Sequence, residues 1–113
     1  MLQRSSARRF PRAPVELPVR LRVLGDRRKE SVALTKVIGA GGCMLVARES
    51  IGFLTLMEVK ISVEGRVLCA DARVAWEVRR SSGEHHVGLE FLRISPADRS
   101  LLSTLVAGSG AAA

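Results

Sequence analysis

The sequence predicts one mainly β domain: a small antiparallel barrel or strongly curled sheet, closed by a short carboxy-terminal helix. Three observations carry this. The chain has 113 residues, the size of a single hydrophobic core. It is 47% hydrophobic yet holds only three Phe, one Trp and no Tyr, so its interior is built from Val, Leu, Ile and Ala, which favours strands wherever β-branched residues alternate. Six apolar or alternating stretches precede one segment of helical period, and that order marks a β fold with a terminal helix.

Residues 15–23 alternate without error, with Val15, Leu17, Val19, Leu21 and Val23 on one face and Glu16, Pro18, Arg20 and Arg22 on the other, the pattern of a half-buried strand. Pro18 cannot donate to a ladder, so this strand lies at an edge or Pro18 faces a gap in the pairing. Residues 25–29 read as a polar turn. Residues 31–38 and 42–47 form two further strands, joined through Gly39, Ala40, Gly41 and Gly42, whose small side chains permit a tight hairpin and the close approach of another group. Residues 56–63 alternate again, Glu64 and Gly65 supply a turn, and residues 67–78 make a long strand ending in Val74, Trp76 and Val78. Ser82 and Gly83 turn the chain into a last strand at 86–92, with Val87, Leu89 and Phe91 sharing a face.

The period then changes. Ser95 suits an N-cap, Pro96 the first helical position, and Asp98 places a carboxylate where the helix dipole favours it. Leu101, Leu102, Leu105 and Val106 make one apolar stripe, and Gly108 ends the helix. Residues 1–14 therefore read as a flexible basic arm, residues 15–107 as barrel plus helix, and residues 108–113 as a disordered tail.

Charge is concentrated at one end. Residues 1–30 carry nine basic side chains against three acidic ones, so nearly all of the formal net charge of +7 lies there. A basic arm on an almost neutral body suits an anion, and phosphate is the commonest anion that arginine clusters serve. Its plainer reading is a solubilising tail. Cys43 and Cys69 have no metal-ligand spacing and are expected to be reduced, buried thiols without disulfide or zinc. No apolar run has the length of a signal peptide or a membrane span, so a cytoplasmic protein without membrane insertion is expected. No nucleophile, base and orienting acid are spaced for catalysis, and no phosphate loop or dinucleotide fingerprint is present, so no enzyme is expected.

Four features then occur in order: Arg8-Arg9-Phe10-Pro11-Arg12 ahead of the first strand, the glycine-rich turn, a Val-Ala-Trp strand, and a Val-Gly-Leu-Glu-Phe strand leading into the helix. From about Arg8 to Val106 the chain resembles the PilZ domain family, bacterial receptors for cyclic di-GMP. The resemblance implies a six-stranded antiparallel PilZ-like β-barrel with a short carboxy-terminal helix. Arg8 and Arg12 match the family's RxxxR motif, with Arg9 beside them. A guanidinium can grip phosphate, pair bidentately with guanine O6 and N7, or stack on a purine face. The family's second motif, (D/N)xSxxG, falls on Val37-Ile38-Gly39-Ala40-Gly41-Gly42, where only Gly42 matches. Val37 and Gly39 offer no side-chain hydrogen bond. Each polar partner left unpaired in a buried site costs about 1–3 kcal/mol, so two losses weaken binding by about one to four orders of magnitude. Backbone amides of the glycine turn still offer an anion cradle.

The remaining singled-out residues have plainer readings. His85 and His86 are adjacent, so on a strand they point to opposite faces and are expected as exposed strand-end residues. Trp76 offers a ring for stacking on a base or a partner, but, flanked by Val74 and Val78, its expected place is the core. Gly88 marks either a bulge or the close approach of another segment.

Two readings of function stay open. In the first, the chain is a cyclic di-GMP receptor without other cofactor or metal, in which Arg8, Arg9 and Arg12 clamp phosphates and guanines, Gly39, Gly41 and Gly42 give close backbone contact, and the ordered arm presents a surface to an effector protein. In the second, the domain has lost the nucleotide and serves as a protein–protein adapter, as non-binding members of the family do. Nonspecific nucleic-acid binding by the basic arm ranks below both.

Overall fold

The computed structural model describes residues 10–26 and 30–108. Seven strands and one helix follow in order: β1 (Arg12–Ala13), β2 (Pro18–Val23), β3 (Glu30–Gly39), β4 (Gly42–Ala47), β5 (Leu56–Val63), β6 (Arg66–Arg79), β7 (His85–Ile94) and α1 (Pro96–Gly108). Six of the strands close an antiparallel barrel in the order β3-β2-β5-β6-β7-β4, with β4 returning to β3, so these six leave no free edge. The seventh, β1, lies outside it and pairs with the end of β3, Arg12 opposite Gly39 and Ala13 opposite Ile38.

The interior is aliphatic, as the composition requires. Leu21, Ile38, Leu45, Met57, Val59, Ile61, Val63, Leu68, Val74, Val87 and Leu102 are essentially inaccessible to solvent. Alternation is cleanest in β5, where Met57, Val59, Ile61 and Val63 all point inward. Glu64 and Gly65 both take positive φ, 47° and 82°, the conformation a two-residue turn needs to match the strands' twist. The helix begins as expected: the Asp98 amide donates to Ser95 Oγ at 3.1 Å. Asp98 Oδ2 in turn accepts from the Cys69 amide at 3.3 Å, which ties the first helical turn to β6. Leu102 enters the core, with Leu101 and Leu105 packed against it.

Residues 15–17 depart from the expected strand. Val15 and Leu17 pack against the core, but regular pairing starts at Pro18, opposite Leu34, and reaches β5 only at Val19. Pro18 thus opens a central strand, where its missing amide interrupts no ladder. Thr35, fully buried, bridges the irregular segment: its Oγ1 accepts from the Leu17 amide at 2.9 Å and donates to the Val15 carbonyl at 2.7 Å.

Three further expectations need correction. Trp76 lies outside the core and is 44% exposed, because a register shift between Val74 and Trp76 turns the strand over. Cys43 is buried but Cys69 is exposed; both are free thiols. His85 is mostly buried, its Nδ1 lying 3.0 Å from Glu77 Oε2.

Candidate functional site

The outer faces of β3, β4, β6 and β7 curve into a groove of about 370 Å³, lined by Phe10 and Arg12 of the arm, the glycine turn, Met44, Trp76, Gly88, Glu90 and Arg99, among others. Its size is that of a small-molecule site.

Glycine makes the groove. Gly39 and Gly42 face each other where β3 meets β4, and each is bare because a neighbour occupies the space of a side chain. A β-carbon on Gly42 would run into the Leu89 carbonyl oxygen; one on Gly39 would meet the Pro11 carbonyl oxygen. On Gly41 it would lie 2.6 Å from Phe10 Cδ2. The Gly41 carbonyl accepts from the Phe91 amide at 2.9 Å, which fastens the turn to β7. Across the groove, Gly88 is bare beneath the Trp76 indole, with Met44 its partner on β4.

Two arginines line the groove. Arg12 is carried by β1, and Arg99 by the first turns of α1, where its guanidinium carbon sits 5.3 Å from the centre of the Phe10 ring, within cation–π range. Arg99 Nε is buried and has no hydrogen-bond partner among the described residues. Glu90 is engaged by Arg73. Cys43 lines the groove as well, and burial pushes its thiol up to about 12, so it stays protonated and unreactive.

Of the residues singled out in the sequence, Arg12, Gly39, Gly41 and Gly42 therefore come together, while Arg8 and Arg9 lie outside the described residues. Val37 joins them on the wall and brings no polar group. Phe10, Met44, Trp76, Glu90 and Arg99 complete the site and were not assigned to it from the sequence. Gly88, set between Val87 and Leu89 in an alternating strand, carried a signal, and Trp76 could have been found from it as the side chain that fills the gap. Arg99 had none, since a helical arginine reads as solvated.

The arrangement is a groove that combines the Phe10 and Trp76 rings with two arginines and the bare backbone of the glycine turn. It fits a flat, anionic ligand, with guanidinium groups for phosphate and an indole for a ring face.

The family described as "PilZ domain" matches residues 6–108. None of the curated proteins matches the chain. Among solved structures, the inhibitor of motility MotI/DgrA of Bacillus subtilis is similar with a TM-score of 0.78 at 21% identity, over 91% of this chain and 50% of that one, so the chain spans half of that protein. The PilZ domain of Escherichia coli YcgR with c-di-GMP is similar with a TM-score of 0.67 at 16% identity, over 91% of both chains. The PilZ domain of CeSA from a cellulose-synthesizing bacterium gives 0.59 at 19% identity, over 86% of this chain and 95% of that one. Among the described residues no helix is long and apolar enough to cross a membrane, and no group of His, Cys, Asp and Glu is placed to hold a metal ion.

Proposed function

This chain belongs to the PilZ domain family, and we propose that it is a cytoplasmic receptor module for cyclic di-GMP that signals through contacts with an effector protein. The observation that carries the reading is the placement of Arg12 on β1, opposite the bare Gly39 and on the wall of the same groove as Trp76 and Arg99. Two similar proteins are described with this ligand, YcgR and MrkH, the latter as a c-di-GMP-dependent transcription regulatory factor.

In this reading Arg12, with Arg8 and Arg9, meets phosphate and guanine edges, and Arg99 adds a further guanidinium to the groove wall. The Trp76 indole supplies a face for a purine, and Gly39, Gly41 and Gly42 let the ligand approach the backbone. No residue is assigned a catalytic role. The adapter reading draws support from one observation: Val37 and Gly39 place no polar side chain in the groove. Because Trp76 is the sole tryptophan and sits in the groove, a fluorescence titration separates the two. Saturable quenching by cyclic di-GMP supports the receptor; unchanged emission supports the adapter.

A further inference from the structure

We infer that Phe10 is a positioning residue which seats the arm in the groove before any ligand arrives, and that the bareness of Gly39 is the condition for that seat. The inference rests on reading the groove as the ligand site, and it turns the departure from the family's second motif into part of the mechanism.

Four consecutive residues are fixed by four different contacts. Phe10 lies between Gly41, whose β-carbon position is 2.6 Å from the ring edge, and the Arg99 guanidinium at 5.3 Å from the ring centre. The Pro11 carbonyl fills the side-chain space of Gly39. Arg12 pairs with Gly39, its Cγ 3.5 Å from that same space. Ala13 pairs with Ile38 and is buried. The arm from Phe10 to Ala13 is therefore docked on the barrel, its last two residues as strand β1.

A floating arm would lose its backbone freedom on binding, and that loss subtracts from affinity. A seated arm has lost it already, on folding. Arg12 then waits at the groove in its working position, which offsets part of the affinity forfeited at Val37 and Gly39. A serine at position 39, the residue of the family motif, would add a hydroxyl yet drive its β-carbon into the Pro11 carbonyl. In this chain, restoring the motif residue unseats the arm.

The test follows trypsin cleavage of the Arg12–Ala13 bond by mass spectrometry in the ligand-free protein, alongside the cyclic di-GMP dissociation constant and the thermal midpoint, for Phe10→Ala, Gly39→Ser and Phe10→Tyr. Phe10→Ala and Gly39→Ser are expected to be cut about tenfold faster or more and to bind about ten- to a hundredfold more weakly, the range set by reordering a few residues on binding. Their midpoint stays close to that of the parent, and Phe10→Tyr, which keeps the ring, behaves as the parent does. Cleavage as slow as the parent's in Phe10→Ala and Gly39→Ser overturns the inference. So does tighter binding by Gly39→Ser, or a midpoint that falls in step with faster cleavage. If the parent binds no cyclic di-GMP while the cleavage pattern holds, the receptor reading fails and the seat stands.

Discussion

The Trp76 indole occupies the space that a β-carbon on Gly88 would need. One strand lends its missing side chain to a ring on the next, and the ring becomes a wall of the groove. Gly88→Ala forces the indole away, because overpacking of this kind costs about 1–3 kcal/mol. The expected result is a lower urea midpoint together with a red-shifted tryptophan emission. An emission spectrum identical to the parent's would show that the indole does not rest there.

Thr35 holds the irregular segment ahead of β2 through one hydroxyl, accepting from Leu17 and donating to Val15. Thr35→Val keeps the shape but leaves a part-buried amide and a carbonyl unpaired, for a loss of up to about 2–6 kcal/mol. Thr35→Ser, which keeps the oxygen, is expected to retain most of the stability. Equal losses in the two variants would assign the effect to packing instead of hydrogen bonding.

The sequence reading and the structure part at places that share a cause. Strands β5 and β7 were legible because Met57, Val59, Ile61 and Val63, and then Val87, Leu89 and Phe91, alternate without interruption. The helix start was legible because Ser95, Pro96 and Asp98 each have a local physical role. Trp76 was misplaced because alternation assumes an unbroken ladder. The shift between Val74 and Trp76 inverts the strand, so Val74 points inward and Trp76 outward although they are two residues apart. A similar shift lies between Thr35 and Val37. Of the site, Arg12 and the three glycines were legible as motif and turn. Phe10 and Arg99 were not, since their roles arise from contact between segments far apart in sequence.

Glu77 anchors the loop between β4 and β5, its Oε1 accepting from the Ile51 and Gly52 amides at 3.1 and 2.9 Å. Burial pushes its carboxyl up, but hydrogen bonds from the Gly52 amide, the Ser50 side chain and the Ile51 amide, with the charge of His85, together hold it below the ordinary value of 4.5. A carboxylate depressed on folding contributes stability that is fully present above its unfolded value and lost as pH falls through the folded one. The gap in thermal midpoint between the parent and Glu77→Gln is therefore expected to be widest near neutral pH and to narrow as pH falls below about 4.5. A gap that does not change with pH would contradict this account of the loop.

The two thiols differ in environment. Cys43 is buried and its pKa is raised to about 12, while Cys69 is exposed. An aromatic disulfide reagent is expected to label Cys69 alone in the native protein and both cysteines in denaturant. Prompt labelling of Cys43 in the native state would mean that the groove floor opens.

The receptor reading depends most directly on Arg12, the arginine of the arm that the fold carries to the groove. Calorimetric titration with cyclic di-GMP at moderate salt, parent against Arg12→Ala, tests it. Loss of a charge-assisted contact to phosphate or guanine is worth about 1.5–3 kcal/mol, so a parent that binds and a variant weakened by about tenfold to a hundredfold or more is the expected result. No heat with the parent, or equal affinity in the two proteins, would contradict it.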